Sequence, residues 1–248
     1  MAGVTERTDQ KDRASDPETT VTEGFERPLV TVDVVILTLR AGVLHTLLMK
    51  RGADPFQGTW ALIGGYIHPQ EDEDLEAAAR RILRSKAGID TPYVEQLQGF
   101  GDARRDPRGW TVTFAHVALI PSDTLSPRHG ANAETVAWWP VDARAVAPPL
   151  AFDHARILAA AVTRVRNKVE YTSLPIHLLP PRFTLTDLQR VYEQILGRPI
   201  EKSQFRRRIA EANFLETVPG EFRQSSNRPA QIYRIKTGLS TIFFDRTI

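Results

Sequence analysis

The stretch GGYIHPQEDEDLEAAARRILRSKAGI, from Gly64 to Ile89, combines residue types that bind phosphate and divalent metal ions. A glycine pair lets the backbone approach an anion, an acidic run follows, and a helical pattern then ends at Gly88. A metal-dependent phosphate site would need carboxylates along that helix. No Asp or Glu occurs between Glu76 and Asp90. We therefore expect a pocket that binds a phosphorylated ligand and does not cleave it.

Cationic and aromatic side chains on both sides of this stretch are candidates to complete the pocket. Arg51, Arg105 and Arg108 can pair with pyrophosphate oxygens through charged, bidentate contacts. The candidate rings for stacking on a base are Trp60, Phe100 and Trp110. His154 is expected to face the pocket, whereas Asp153 is a candidate helix cap. A solvated surface charge explains any one arginine equally well, and core packing is the commoner role of any one aromatic residue.

A second group of functional residues lies in a basic block near the C-terminus. Residues 182–236 contain 11 Lys and Arg against 6 Asp and Glu, whereas the whole chain has a net charge of +2. The block is expected to contain a supporting helix at 185–196, a recognition helix at 201–213 and a loop at 219–228. This order is typical of a winged helix-turn-helix, although a basic protein-binding module is the alternative.

The predicted recognition helix has an apolar face and a polar face. Phe205, Ile209 and Ala212 recur at helical spacing and are expected to be buried. Arginine can bind guanine edges or phosphate, and glutamine suits adenine. The candidate DNA-binding residues, of which the last lies in the wing, are Lys202, Ser203, Gln204, Arg206, Arg207, Arg208 and Arg228.

The elements that must position these residues can be predicted from periodicity. Val30–Arg40 and residues 43–51 form a hairpin around Ala41-Gly42, and a helix runs from Leu75 to Ala87 with Gly88 as its C-cap. Strand patterns follow in VEQLQGFGD, WTVTFAHVALIP and AETVAWWP. A strand-rich α+β fold is expected, with an α/β/α sandwich followed by a C-terminal winged helix-turn-helix domain.

A long amphipathic helix is expected to join the two parts of the chain. Its apolar positions step by three or four and comprise Phe152, Ala155, Leu158, Val162, Val165 and Val169. The next helix is expected to begin with a capping box formed by Thr186 and Gln189. We predict a disordered arm at 1–27, a ligand-sensing domain at 28–147, a linker helix at 148–170, and a DNA-binding domain with its tail at 171–248. In that tail, Ile242, Phe243 and Phe244 are expected to pack on a domain or a partner subunit.

Composition excludes several classes of function. The 248 residues include no cysteine, which rules out disulfides, zinc fingers and thiol catalysis. No apolar run approaches the roughly 20 residues of a membrane span, and we expect a cytoplasmic protein with no membrane partner.

The stretch from Gly64 to Ile89 resembles the signature of the Nudix hydrolase superfamily, whose glutamates hold a divalent metal on a nucleoside diphosphate. The resemblance places the family's arginine at Arg81 and its lone glutamate at Glu73. Its three helical glutamates fall on Ile82, Ser85 and Lys86. RGADPFQGTWALIGG is similar to Nudix domains that bind ADP-ribose-like molecules. The ligand-binding set that follows is Arg51, Trp60, Gly64, Gly65, Glu73, Arg105, Arg108 and His154, with no metal ligand and no catalytic residue.

The Nudix-like part and the basic block (FTLTDLQRVYEQILGRPIEKSQFRRRI, then NRPAQIYRIK) together resemble the Nudix-related transcriptional regulators of the NrtR type. The resemblance implies a homodimeric repressor of NAD-metabolism genes that binds double-stranded operator DNA. ADP-ribose or a related nucleotide is its small effector, and no cofactor is required. Some members regulate sugar utilisation, and the effector of this chain can either release or promote DNA binding.

Two alternatives from other functional classes remain. The first is an active ADP-ribose pyrophosphatase with an accessory domain, which would have to take its metal ligands from the acidic run at 71–76. The second is a nucleotide-sensing adaptor whose basic helix binds a protein.

Overall fold

A computed structural model describes residues 27–91, 93–122, 133–141, 148–224, 229–239 and 241–244. The predicted N-terminal arm, apart from its last residue, lies outside the described residues, as does Arg228. None of the helices within these ranges combines the length and the apolar character of a membrane span.

Seven strands form one mixed sheet at the centre of the N-terminal part. The expected hairpin is present, with β1 at Leu29–Arg40 antiparallel to β2 at Val43–Arg51. The other strands are β3 at Trp60–Ala61, β4 at Ile63–Tyr66, β5 at Val94–Asp102, β6 at Thr111–Leu119 and β7 at Ala133–Pro140. β1 runs parallel to β6 and antiparallel to β4, so it lies inside the sheet and joins the glycine-rich stretch to the rest of the fold.

Helices cover both faces of this sheet, which confirms the α/β/α sandwich. Val34 and Ile36 of β1 pack in one cluster with Ile82 of α1, which spans Leu75–Ile82. Val35 and Leu37 point to the opposite face and share a cluster with α2, which spans His154–Val169. Successive strand residues alternate between the two faces, and the apolar run of β1 is therefore buried on both.

The glycine-rich stretch ends in the expected helix, whose last turn has a different geometry. The Asp74 side chain caps α1 by accepting a hydrogen bond from the Ala77 amide at 2.7 Å. Leu83–Ala87 continue as a π-helical turn, and Gly88 ends it in the left-handed conformation at φ 65°. A π-helical turn shifts the positions of the side chains that follow it, and such turns are frequent at functional sites.

The joining helix α2 begins at His154, later than the start at residue 148 given for the predicted linker helix, and Phe152 before it has a positive φ of 54°. Its buried face includes Ile157, and Ala155 is exposed, so the expectation for Ala155 was wrong. Helices α3 and α4 pack in the same apolar cluster as α2. The hydrophobic core therefore continues from the sheet into the C-terminal part, and the predicted domain boundaries stay a proposal.

The helix pair of the C-terminal block agrees with the expected winged helix order. α3 spans Leu185–Leu196 and α4 spans Lys202–Ala212. The cap of α3 was misplaced by two residues, because Thr184 and Asp187 form its capping box. Thr184 has the extended backbone that lets a side chain reach the free amides of the first turn, whereas the predicted Thr186 lies inside α3. Phe205 and Ile209 are buried as expected, and Ala212 is partly buried.

The wing consists of β8 at Leu215–Arg223 and β9 at Ala230–Ile235, which are antiparallel. Pro219 and Gly220 belong to β8, so the described part of the wing is more regular than a loop. The tail packs on its own chain. Ile242 and Phe244 contact the core, whereas Phe243 is 64% exposed and stacks against Tyr171.

Candidate functional site

A cavity of about 280 Å³ lies where β1, β2 and β4 meet the end of α1 and the start of α2. Six of the eight predicted ligand-binding residues line it, and these are Arg51, Gly64, Gly65, Arg105, Arg108 and His154. Trp60 and Glu73 are not among its lining residues. Residues that are far apart in the sequence therefore line one cavity.

Trp60 and Glu73 occupy other surroundings. The Trp60 ring packs edge-on against Trp139 with 5.5 Å between the ring centres, beside the main core cluster. Glu73 is exposed. Arg81, where the resemblance places the family's arginine, donates to both oxygens of Asp72 at 2.6 and 2.8 Å. These hydrogen bonds lower the pKa of Asp72 to about 2, so the Asp72 carboxylate paired with Arg81 is charged at neutral pH.

Among the aromatic candidates, Phe100 is buried in the core, and Trp110 is 49% exposed at the end of the sheet. Neither lines the cavity. The rings that do so are Tyr66 and Phe152. Tyr66 could have been found because it follows the glycine pair in one short strand. No comparable sequence signal marks Phe152, whose place depends on its left-handed backbone before α2.

Lys86 brings an ammonium group to the floor of the cavity. It lies in the π-helical turn, and its Nζ donates a hydrogen bond to the carbonyl oxygen of Gly64. Burial lowers the pKa of Lys86, and the nearby Asp33 carboxylate partly opposes that shift. This group leaves a positive charge beside the Gly64-Gly65 backbone, which suits an anionic ligand.

Arg51 and Arg108 supply further positive charge to the wall of the cavity. Arg51 donates to the carbonyl oxygens of Pro55 and Ala53, at 2.7 and 3.3 Å, and both of these acceptors are uncharged. Arg108 is held by Asp106, with nitrogen–oxygen distances of 3.0 and 2.7 Å, and also donates to the Tyr66 hydroxyl at 2.6 Å. Arg51 therefore keeps more unbalanced charge for a ligand than Arg108 does.

Arg105 is a structural part of the cavity wall and is only 7% exposed. Its Nη2 lies 2.9 Å from Asp153 Oδ1, and its Nη1 donates to the Thr111 hydroxyl at 3.1 Å. Asp153 directly precedes α2 but makes no side-chain capping bond, so the predicted helix cap was wrong. The Asp153 carboxylate instead ties the start of α2 to the cavity.

His154 is buried and uncharged beside this ion pair. The Leu62 amide donates to its Nδ1 at 2.9 Å, which places the ring proton on Nε2. Burial lowers the pKa of His154 and maintains the neutral form. Nε2 then faces Asp33 Oδ1 at 3.7 Å. Asp33 was missed from the sequence, although a charged residue inside the apolar run LVTVDVVIL was a usable signal.

Helix α4 exposes the predicted DNA-binding side chains between two grooves. Lys202 and Arg206 line the groove toward the wing. Arg207 and Arg208 line the groove toward the C-terminal tail, with Arg208 partly buried. Ser203 and Gln204 lie in the first turn, where both backbone amides donate to the Glu201 carboxylate at 2.9 and 2.6 Å. The helix therefore presents a positive outer surface from a capped N-terminus.

Comparison with known proteins agrees with both halves of this description. Residues 27–161 match the NUDIX domain, and residues 175–235 match the NrtR DNA-binding winged helix domain. The chain is 43% identical over 212 residues to the ADPR responsive transcriptional repressor NtrR of Acinetobacter baylyi. The aligned region covers 85% of this chain and 83% of the relative. This chain belongs to the NrtR family.

Two solved structures of the NrtR family are similar to this chain. The structure of Shewanella oneidensis NrtR complexed with a 27mer DNA is 37% identical, with a TM-score of 0.79, and covers 88% of this chain and 99% of that one. The NUDIX domain of the same NrtR complexed with ADP ribose is also 37% identical, with a TM-score of 0.53, and covers 61% of this chain and 94% of that domain.

The divalent metal that the Nudix fold implies does not fit this NrtR-family chain. Within the described ranges, no group of three or more His, Asp or Glu side chains is placed to hold a metal ion. The Lys86 ammonium occupies the helix end where the hydrolase signature has carboxylates. A cation at that position repels a metal ion and attracts the phosphate itself.

Proposed function

We propose that this chain is a transcriptional repressor that binds operator DNA through its winged helix. ADP-ribose or a related nucleotide binds its cavity as an effector, without hydrolysis. The observation that carries the proposal is the Lys86 ammonium beside Gly64 in a cavity that Arg51 and Arg108 also line. The same chain carries a winged helix with an exposed basic face, so ligand site and DNA site are linked covalently.

The regulated genes and the assembly follow from the family relationship. We infer that the protein acts in the cytoplasm as a homodimer on NAD-metabolism genes and requires no cofactor. Two recognition helices of a dimer can contact two half-sites about one helical turn of DNA apart. A small rotation of one winged helix relative to the other then changes how well both helices fit the operator.

Helix α2 is the proposed route from ligand to DNA. Asp153, at its start, is bound to the cavity residue Arg105. At its end, Lys168 donates to Glu95 of the sheet at 2.6 Å, and Val169 is buried in the cluster that includes Phe205 of α4. A ligand that prefers one position of α2 can therefore shift α4, and typical coupling free energies are about 1 to 3 kcal/mol.

The proposal is tested by a gel-shift titration at physiological salt. The probes are DNA fragments from upstream of this protein's own gene and of neighbouring NAD-metabolism genes. We expect sub-micromolar, competitor-resistant binding that ADP-ribose relieves. Specific binding that ignores ADP-ribose would keep the repressor and overturn the effector, which would favour a sugar or another nucleotide. The absence of any specific shift would favour the adaptor.

The absence of hydrolysis is tested separately with the full chain. Purified protein is incubated with ADP-ribose and either magnesium or manganese, and AMP and ribose phosphate are measured. We expect no enzyme-like turnover, because the described residues offer no metal-binding carboxylate cluster. Turnover at ordinary hydrolase rates would contradict an effector role without cleavage.

A further inference from the structure

Asp33 places a carboxylate in a cavity that is otherwise suited to anions. It lies near the middle of β1, is only 6% exposed, and lines the cavity together with four cationic side chains. A buried carboxylate is costly unless hydrogen-bond donors or a positive charge compensate it. Its place among these cations therefore indicates that the ligand makes a second kind of contact, in addition to the contacts between its phosphates and the cations.

Two of the other acidic side chains around the cavity have strong partners, and a third, Asp54, is exposed to solvent. Asp106 accepts hydrogen bonds from the Arg108 guanidinium, and Asp153 is paired with Arg105 at 2.9 Å. Asp33 differs from both. Its nearest polar side-chain neighbours are the Arg105 guanidinium, with Nη2 at 3.6 Å, and the neutral His154 ring, with Nε2 at 3.7 Å, both beyond normal hydrogen-bond distance.

Among the described residues, no hydrogen bond reaches the Asp33 carboxylate, and its oxygens retain the capacity to accept donors from a ligand. Phosphate oxygens cannot satisfy it, because they are acceptors and carry the same sign of charge. An ammonium on the ligand would be repelled by Arg51, Lys86 and the other cations of the cavity. Uncharged hydroxyl groups can donate hydrogen bonds to the Asp33 carboxylate, and the cationic side chains of the cavity do not repel them.

The acceptor and the phosphate-binding cation lie on either side of the glycine pair. A Cβ atom added to Gly64 would lie 1.8 Å from Asp33 Oδ1, so the carboxylate fills the space where a side chain would be. Lys86 Nζ lies 3.4 Å from the corresponding position on Gly65. A ligand that uses both groups must therefore reach across the glycine pair, with hydroxyls on one side of it and phosphates on the other.

We propose that Asp33 is a specificity-determining residue that accepts hydrogen bonds from the hydroxyls of a sugar attached directly to the diphosphate. This inference rests on the proposed function and deepens it. The cavity then distinguishes a nucleoside diphosphate sugar from the nucleoside diphosphate alone. Because charged acceptors form strong hydrogen bonds, the sugar is expected to improve affinity by about 10- to 100-fold.

The test measures calorimetric affinities of the full chain for ADP-ribose and for ADP, in the presence of a chelator. We expect wild type to bind ADP-ribose at least about 10-fold more tightly than ADP. Asp33→Ala should lose most of that ratio by weakening ADP-ribose alone. Asp33→Asn keeps the size of the side chain and one acceptor oxygen, so its ratio of ADP-ribose to ADP affinity should be intermediate. This variant also provides the test if the alanine variant does not fold.

Thermal unfolding and ligand-free DNA binding of each variant report whether the fold is intact. An unchanged ADP-ribose to ADP ratio in a folded Asp33 variant would overturn the proposal, and equal affinities in wild type would do the same. Repeating the titration with magnesium separates a metal role, because a loss seen only with magnesium would also overturn it. If wild type binds neither nucleotide, the proposed effector fails first, which is a distinguishable result.

Discussion

Arg105 and Asp153 form a buried ion pair that joins the cavity to the residue directly before α2, with 2.9 Å between Nη2 and Oδ1. The two residues are 48 positions apart in the sequence. Asp153 Oδ2 is buried and has no hydrogen-bond partner among the described residues, so Arg105 supplies the main compensation for this carboxylate. The pair therefore holds the end of the helix that leads toward the winged helix.

Replacing Arg105 with alanine is expected to reduce the free energy of unfolding by about 3 to 5 kcal/mol, because Asp153 and Asp33 would remain buried without their cation. The measurement is urea denaturation of the variant. Arg104→Ala is the matched control, since Arg104 is the exposed neighbour in the same loop and should change stability little. Equal stability of the two variants would show that the ion pair contributes little.

Replacing Gly64 with alanine is expected to impair the cavity, because the new methyl group would overlap Asp33 Oδ1. Relieving this overlap should cost about 1 to 3 kcal/mol of stability and weaken ADP-ribose binding. The matched control is Gly99→Ala in β5, where an added Cβ would meet nothing closer than 4.0 Å. Thermal unfolding and ligand titration of both variants provide the comparison. Wild-type affinity in Gly64→Ala would contradict the close approach of Asp33 to this glycine.

Replacing Lys86 with methionine should weaken ADP-ribose binding by about 10-fold or more, since it removes the charge beside the glycine pair. Burial lowers the pKa of Lys86, so wild-type affinity should be complete below that lowered pKa and decrease as the pH rises through it. The variant should lack this alkaline decrease. Arg84→Met, which replaces an exposed cation in the same turn, is the control and should keep both affinity and pH profile.

Replacing Arg207 with alanine should reduce operator affinity by about 5- to 100-fold and make binding less sensitive to salt. Its side chain is 72% exposed on the outer side of α4. The control is Arg166→Ala, which removes the same charge from an exposed position on α2. Binding is measured by fluorescence anisotropy at several salt concentrations. Equal losses in both variants would point to net charge alone.

His177 is expected to make the junction between the two parts of the chain sensitive to acid. Its ring stacks on Tyr93 of the sheet domain and contacts Thr241 of the tail at 3.1 Å. Burial lowers the pKa of His177 from 6.5 to about 4. Between these values the unfolded chain binds a proton that the folded chain does not, so stability falls as the pH falls from about 6.5 to 4.

Replacing His177 with phenylalanine should remove up to about 3 kcal/mol of this acid dependence, while the stacking on Tyr93 is kept. Denaturation midpoints between about pH 4 and 7 provide the measurement. Burial also lowers the pKa values of His116 and His154, so part of the slope will persist. His68→Phe, at an exposed position, should retain the full wild-type slope.

Local sequence patterns determined most of the secondary structure. The β1–β2 hairpin and the bounds of α3 follow from alternation, helical spacing and the left-handed residues Gly42 and Gly197. These signals act over a few residues and are therefore visible without tertiary contacts. The lack of carboxylates between Glu76 and Asp90 and the basic C-terminal block are likewise local features, and they predict a protein that binds a phosphorylated ligand and DNA.

Only the tertiary structure decided which side chains share the cavity and which partners they have. Trp60 and Arg51 belong to the same predicted ligand-binding segment, yet the Trp60 ring packs against Trp139 and does not line the cavity. Asp33 and Asp153 became functional candidates because residues far along the chain surround them. Burial and pairing depend on contacts across the fold, which residue spacing does not encode, and so the chemistry of these carboxylates appears only once the sheet and α2 are assembled.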